Sequence, residues 1–291
     1  MTHRTYGPVY QQPTTAGALR FRRVRNRVLI YAEAVDVAAE GAVWYARRIG
    51  GGTFAALHVP GRNTDTGIHA RWFDFTGGEP RLDVRPPGTD PARAVLEAIA
   101  RLRERDDDVV TVVLPEQFSK RSLFAAAQRA QFRLKLRLLT EPGVVVSDVP
   151  AVSSERRPDG NVPERLIVRV MAGHLDAPAR RAVAYARELG VDDLRAVHFG
   201  ARDWDESELG IPVDDQPAQS RLREATIDYV RGLTSDPTAA VNVILPERLH
   251  ANLPRLRGRR ALAVKRCLLF EPHVILTSVP TPAGPDQPSE T

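Results

Sequence analysis

The sequence contains one α/β unit twice, and this repeat limits the fold more than any other feature. The segment AVWYARRIG at 42–50 returns as AVAYARELG at 182–190, a displacement of 140 residues, and FAALHV at 54–59 returns as LRAVHF at 194–199. Two later blocks follow in the same order: LPE at 114–116 and 245–247, and Lys135 with LLTEP at 138–142 against Lys265 with LLFEP at 268–272. Solenoid repeats span ~20 to 50 residues. A period this much longer predicts two domains, each with its own core.

Bulk composition describes a water-soluble protein of ordinary domain size. The 291 residues suffice for two domains, and 43% apolar with 26% charged residues is typical of globular proteins. No apolar run approaches the ~18 residues of a membrane helix, and the N-terminus lacks the apolar stretch of a signal peptide. Cys267, the single cysteine, lies among apolar residues and is expected to be a buried small side chain. We therefore expect a chain without disulfides in the cytoplasm.

Each copy alternates predicted strands and helices. Short apolar runs predict strands, and apolar positions at helical spacing follow the first strand of each copy. Asp90-Pro91 is a helix start, with the N-cap followed by the residue favoured at the first helical position; its partner is placed at Ser220. Trp72, Phe73 and Phe75 lie between the second and third strands of copy one, in a stretch predicted to have no regular secondary structure. The predicted strands are 28–31, 54–59, 82–84, 109–114 and 143–146 in copy one, and 166–170, 194–199, 240–245 and 273–276 among those of copy two.

This alternation predicts an α/β fold of two flavodoxin-like, doubly wound parallel five-stranded sheets in tandem. The predicted organisation is a flexible basic tail at 1–26, domain 1 at 27–150, a linker at 151–163, domain 2 at 164–280 and a disordered tail at 281–291.

With Leu-His-Val closing the second strand of copy one, Val-His-Phe at the same place in copy two, and an apolar fourth strand in each, both copies resemble the universal stress protein family. The second copy is also similar to the cytoplasmic C-terminal domain of bacterial APC-type amino acid permeases, through LGIPV at 209–213, VILPE at 243–247 and TSVP at 277–280. The resemblance implies a non-catalytic regulatory or interaction module. It also implies that the two repeats pair as an intramolecular pseudo-dimer through their fifth strands, with 144–146 and 275–276 at the seam.

Nucleotide-binding members of that family carry a glycine-rich loop after the fourth strand, where backbone N–H groups approach the phosphates. No glycine occurs between Gly88 and Gly143, and only Gly258 lies between Pro246 and Pro272. We therefore expect neither ATP binding of the family type nor any other cofactor.

Three glutamates are candidate ligand contacts. Glu33 stands after the first strand, where nucleotide binders of the family carry an aspartate. Glu116 and Glu247 follow the fourth strands, at the edge where doubly wound folds bind ligands. Their structural alternative is to cap the next segment or pair with an arginine. If copy one is a small-ligand or nucleotide sensor, Glu33 and Glu116 border its cleft.

Catalysis and metal binding find no support in the residue pattern. His58 and His198 occupy equivalent positions but lie in separate domains, without other ligands at metal-site spacing, so a structural role is favoured. No Gly-x-Ser-x-Gly, His-Glu-x-x-His or Walker loop is present. We expect no enzyme and no metal site.

Arginine clusters suggest an anionic contact surface. A solvated helical face is the ordinary explanation; the alternative is attraction to anionic lipid head groups or to a membrane transporter, at the inner face of the membrane. A nucleic-acid role for the arginine tail is a third hypothesis, which the basic composition alone does not favour. The cations assigned to such contact are Arg22, Arg23, Arg257, Arg259 and Arg260.

Overall fold

The two repeats form one continuous mixed sheet. The computed structural model describes residues 25–61, 67–116, 126–150, 163–219, 221–248, 265, 267–269 and 271–281, with the backbone alone at 37 and 126–132. The first half consists of β1 (Asn26–Tyr31), α1 (Val37–Ile49), β2 (Ala55–His58), α2 (Ile68–Thr76), β3 (Leu82–Val84), α3 (Pro91–Leu102), β4 (Val109–Glu116), α4 (Ala126–Leu139) and β5 (Val144–Pro150). The second half consists of β6 (Arg165–Met171), α5 (Ala177–Glu188), β7 (Asp193–Phe199), α6 (Glu206–Leu209), β8 (Val213–Gln216), α7 (Leu222–Leu233), β9 (Ala239–Arg248) and β10 (Val274–Thr281).

The sheet has ten strands in the order β3-β2-β1-β4-β5-β10-β9-β6-β7-β8. Within each half every pair is parallel, whereas β5 and β10 pair antiparallel, with Ser147 opposite Thr277. The predicted α/β class with doubly wound, parallel five-stranded halves is confirmed. The two halves are joined edge to edge through β5 and β10. The two sheets expected from the sequence therefore form one ten-stranded sheet.

Helices cover both faces of this sheet. On one face, the apolar core under α1, α2, α5 and α6 is continuous from the first half to the second. On the other face, one cluster lies under α3 and α4, and a separate one lies under α7 and Leu268. The strands of a sheet covered on both sides read as unbroken apolar runs, which is why β4 and β9 were visible in the sequence.

Local chemistry explains the helix starts. The Asp90 carboxylate accepts a hydrogen bond from Arg93 N at 2.8 Å, with Pro91 in the first turn, which confirms the predicted start of α3. Asp36 and Asp176 cap α1 and α5 in the same way. Each cap satisfies backbone donors that a helix leaves free at its N-terminus.

Several local predictions were wrong. Trp72, Phe73 and Phe75 lie in a regular helix, α2, which begins after Gly67 and ends at Gly77. The fifth strands extend to Pro150 and Thr281, well beyond the apolar runs that predicted them. Cys267 is only partly buried. Ser220, where a helix start was predicted, lies outside the described residues, as do the linker apart from residue 163 and the tails apart from 25–26 and 281. Asn26 belongs to β1 and Thr281 to β10, so these two strands reach into the segments assigned to the tails. Within the described part of the chain, none of the helices combines the length and apolarity that crossing a bilayer requires.

Candidate functional site at the seam

The β5–β10 pair, here called the seam, has a local twofold relation. Ser147 pairs with Thr277, Val146 with Ser278 and Asp148 with Leu276. Because each residue of β5 has its repeat counterpart 130 positions later, the local axis passes between Ser147 and Thr277. Side chains near this axis therefore come from both halves.

On the face covered by α1 and α5, the seam holds a buried network of hydroxyl and amide groups. The hydroxyl of Tyr45 lies 3.4 Å from Ser147 Oγ and 3.3 Å from Thr277 Oγ1, and it accepts from Asn242 Nδ2 at 2.8 Å. Thr277 Oγ1 in turn donates to Asn242 Oδ1 at 2.8 Å. Burial raises the pKa of Tyr45 to about 12 despite hydrogen bonds from Ser147 and Thr277 that lower it. This network joins α1 of one half to β9 and β10 of the other.

Tyr185 of α5 is the repeat counterpart of Tyr45. Its hydroxyl lies 2.9 Å from Thr111 Oγ1, a threonine of β4. Burial raises the pKa of Tyr185 well above its ordinary value, with the neighbouring Tyr45 as the next cause. Each half thus contributes one tyrosine near the axis. Both buried hydroxyls have hydrogen-bond partners, which offset the free-energy cost of burying a polar group.

On the opposite face, two partly buried lysines flank the seam. Lys135 of α4 forms ion pairs with Glu116 and with Asp148, the latter at 3.0 Å. Lys265, its counterpart, lies 2.9 Å from Glu247 Oε1 and 2.6 Å from Ser278 Oγ. The arrangement repeats except at one position, where Asp148 of the first half is replaced by Ser278 in the second.

This substitution makes the two lysine sites electrostatically unequal. Burial lowers the pKa of Lys135, Asp148 opposes that shift, and the positive charge of Lys265 adds to it. The two ammonium groups therefore interact across the seam. Since Lys135 has two carboxylate partners and Lys265 has one, the negative charge of the described cluster is concentrated in the first half.

The carboxylates of the cluster are not fully satisfied. Within the described residues, Glu116 Oε2 and Glu247 Oε2 are buried without a hydrogen-bond partner. An unpaired buried carboxylate oxygen is costly. These two atoms are therefore points where a bound hydrogen-bond donor would lower the free energy of the folded protein.

The three glutamates singled out in the sequence are placed differently. Glu116 and Glu247 are the buried partners of Lys135 and Lys265, so neither of the structural roles considered for them, capping or pairing with arginine, describes the main contact. Glu33 follows β1 and is exposed. Partial desolvation raises its pKa while the charge of Lys135 lowers it, which places Glu33 near the first-half cluster. The candidate arginines at 22, 23, 257, 259 and 260 all lie outside the described residues.

The two matched histidines have a structural environment. His58 Nδ1 lies 2.8 Å from Ala32 O and His198 Nδ1 lies 2.9 Å from Ala172 O, and both rings are buried. Each histidine thus links the end of a second strand to the residue after a first strand. Within the described ranges, no group of three or more His, Cys, Asp or Glu side chains is arranged to hold a metal ion.

A second polar site, an open groove of about 480 Å³, lies on the outer strands of the second half. Its floor is Arg169, 4% exposed, whose guanidinium contacts Asp193 Oδ1 at 2.7 Å and Tyr229 Oη at 2.9 Å. Asp214 accepts from both Tyr229 and Arg195. Copy one has Leu29 where copy two has Arg169. The charges of this groove pair with one another, which explains how an arginine is accommodated within a strand.

Sequence reasoning missed Tyr45, Ser147, Asp148 and their counterparts as site residues. A signal was available: SDVP at 147–150 continues the repeat as TSVP at 277–280. When both copies have polar residues at the same positions of a strand, those residues are expected to be buried against another part of the protein, here the other half.

Comparison with known proteins identifies both halves. Residues 23–151 and 164–281 match the family model described as the KimA potassium transporter C-terminal domain. A universal stress protein from Archaeoglobus fulgidus DSM 4304 has a similar structure, with a TM-score of 0.49 and 12% identity over 86% of this chain and 97% of that chain. No curated protein matches the sequence. The likeness seen in the sequence was to an amino acid permease, whereas the matched family is named for a potassium transporter.

Proposed function

The chain belongs to the family of KimA potassium transporter C-terminal domains, and we propose that it is a non-catalytic regulatory or interaction module acting on a membrane transporter from the cytoplasmic side. The observation that carries the proposal is the match of both halves to one family model, at 23–151 and 164–281. The name of that family specifies potassium as the ion that its transporter moves, and we extend that ion to the partner of this chain.

The seam supports a regulatory role because it makes the two halves mechanically dependent. Tyr45 of the first half contacts Asn242 and Thr277 of the second. The β5–β10 register is shared by both halves. A contact that displaces Tyr45 in one half would therefore also disturb Asn242 and Thr277 in the other, and such coupling is the physical requirement for a module that transmits a signal.

The chemistry of the seam supports a non-catalytic role. Lysine acts as a base or nucleophile when it is neutral and can reach substrate. Lys135 and Lys265 are instead partly buried and paired with the buried Glu116 and Glu247. Their positive charges balance buried carboxylates, which is a structural task.

The same cluster argues against a triphosphate at the first-half switch point, where β1 and β4 diverge. In doubly wound folds this edge is where phosphates bind. Here Glu116 ends β4 and is buried together with Asp148. Negative charge at that position repels phosphate, and the sequence supplies no glycine loop to offset the repulsion.

A small-ligand sensor in the first half is the second candidate. The observation favouring it is the position of Glu33, whose carboxylate interacts with Lys135 at the same strand edge. Such a ligand would carry a positive charge or hydrogen-bond donors, because Glu33, Glu116 and Asp148 all present carboxylates.

Potassium uptake tests the proposal. A KimA-type transporter is expressed in cells deficient in potassium uptake, either with its C-terminal domain deleted or with that domain replaced by this chain. We expect the replacement to change the initial rate of rubidium uptake relative to the deletion, at equal transporter abundance in the membrane. Equal rates, together with failure of the separate chain to copurify with the transporter, would overturn the proposal.

A further inference from the structure

We propose that the exposed side of α1 and α2 in the first half docks on the surface of an anionic membrane. The docking surface, called the α1–α2 patch, is defined by Trp44 and Arg48 of α1 and by Phe73 of α2, two helices that a hydrogen bond from Arg47 to Thr76 O links. It is distinct from the tail and fourth-strand arginines that the sequence suggested for such contact. The inference rests on the proposed function only in placing the domain beside a membrane.

The patch combines aromatic and cationic groups. Phe73 is 60% exposed, and among the described residues it stands out as a large apolar side chain that is mostly exposed to solvent. Trp44 is partly exposed, and the guanidinium carbon of Arg48 lies 5.6 Å from the centre of its ring. The Arg47 guanidinium donates to Thr76 O at 2.7 Å, which holds the ends of α1 and α2 together. Aromatic rings flanked by arginine are typical of surfaces that rest at the headgroup level of a bilayer.

The second half provides an internal comparison, because it has the same fold without the patch. Copy two has Ala184 in place of Trp44 and Glu188 in place of Arg48. The counterpart of α2 is the four-residue α6, whose first turn carries Glu206 and Glu208. Folding of the repeat therefore requires neither the aromatic groups nor the positive charge. An arginine in the last turn of a helix also interacts with the helix dipole, but that role does not account for Phe73.

The position of the patch fits the path of the chain. Asn26 Nδ2 donates to Ile49 O at 3.2 Å, so the start of β1 lies beside the end of α1. The matched region of a transporter's C-terminal domain begins at residue 23. The end of α1 that carries Arg48 therefore lies beside the start of the matched region's first strand.

Flotation with vesicles measures the proposed contact. The full chain is mixed with phosphatidylcholine vesicles, with or without phosphatidylglycerol, and the bound fraction is followed at rising NaCl. Arg48→Ala should lower the partition coefficient about fivefold, from ~1 kcal/mol per cation near an anionic surface. Phe73→Ala should lower it about tenfold, since burying a phenylalanine is worth at least ~1.5 kcal/mol. The matched control is Arg137→Ala, which removes one exposed charge from α4 on the opposite face.

Tryptophan fluorescence gives a second, independent readout. Of the three tryptophans, Trp72 and Trp204 are 2% and 8% exposed, so Trp44 is the one able to report on lipid. We expect anionic vesicles to shift the emission to shorter wavelength, and Trp44→Phe to abolish the shift while leaving the circular dichroism spectrum unchanged.

Loss of binding in the Arg48 and Phe73 variants, with binding retained in the Arg137 variant, would support the proposal. Wild-type chain that does not float with anionic vesicles would overturn it, as would Arg48 and Phe73 variants that float like wild type. Neither failure affects the uptake experiment, which compares transporter with and without the domain.

Discussion

Ser147 and Thr277 face each other at the centre of the β5–β10 pair with their hydroxyl oxygens 2.8 Å apart, and each is the repeat counterpart of the other. The local twofold axis therefore passes between two residues that are also in direct contact. Their second hydrogen-bonding partners, Tyr45 and Asn242, come from different halves. Substitution at this point perturbs both halves at once.

Replacing Thr277 by valine is expected to destabilise the whole chain. Thr277→Val conserves shape but leaves Asn242 Oδ1 and Ser147 Oγ without the hydroxyl they contact. The cost of such buried unsatisfied groups is about 2 kcal/mol of unfolding free energy, measured by urea denaturation. Thr140→Val is the control, because the Thr140 hydroxyl is exposed; a similar loss in both variants would contradict the buried network.

The two lysines should differ in importance. Lys135→Met leaves Glu116 and Asp148 buried without a cation, whereas Lys265→Met leaves Glu247 beside the neutral Ser278. Removing one partner of a buried ion pair costs about 3–5 kcal/mol. We expect the unfolding free energy that Lys135→Met loses to lie at or above the upper end of this range, and the loss for Lys265→Met to lie near its lower end.

A compensating substitution distinguishes charge from packing in that comparison. Asp148→Asn in the Lys135→Met background should restore part of the lost unfolding free energy, because it removes one of the two unbalanced carboxylates. If the double variant is no more stable than Lys135→Met, or if the two lysine variants lose equal stability, the electrostatic inequality of the halves is wrong.

Alkaline pH should weaken the seam through Tyr45. Its pKa in the folded protein is about 12 against an ordinary value of 10.0. The folded pKa is the higher one, so its stabilising contribution is complete below pH 10 and is lost as the pH rises toward 12. Tyr45→Phe lacks this titration. The stability advantage of wild type over Tyr45→Phe should therefore shrink by about 1 kcal/mol between neutral pH and pH 11, and a gap that stays constant or widens would refute the assignment.

Titration with ATP should give no saturating heat in a calorimeter. Glu116 and Asp148 put negative charge at the switch point, and no glycine lies between Gly88 and Gly143. Adenosine titrated in parallel controls for weak stacking of the base. Saturation by ATP at micromolar concentration would favour the sensor hypothesis over a module without nucleotide binding.

Much of the fold could be predicted because each half follows local rules. The repeat located equivalent elements, the apolar run at 109–114 marked a strand covered on both faces, and Asp90-Pro91 marked a helix start. These signals depend on residues near one another in sequence. The helix α2 was missed since its aromatic side chains lie at unequal depths, with Trp72 buried and Phe73 exposed.

The seam could not be predicted in the same way. Residues 147–148 are polar, and a polar pair after an apolar run ordinarily marks the end of a strand. They are buried here because β10 lies alongside, 130 residues away in the chain. Likewise, Glu116 meets Lys135 only after the crossover through α4. Such contacts depend on tertiary packing, for which local sequence patterns carry little information.

Ion flux through reconstituted transporter tests the central claim most directly. A KimA-type potassium transporter without its C-terminal domain is placed in proteoliposomes, and initial potassium influx is measured with this chain fused in place of that domain and without it. We predict that the fused chain changes the influx, and that Thr277→Val in the fused chain reduces the change. Influx that is the same with and without the chain, at equal transporter content, would contradict a regulatory role.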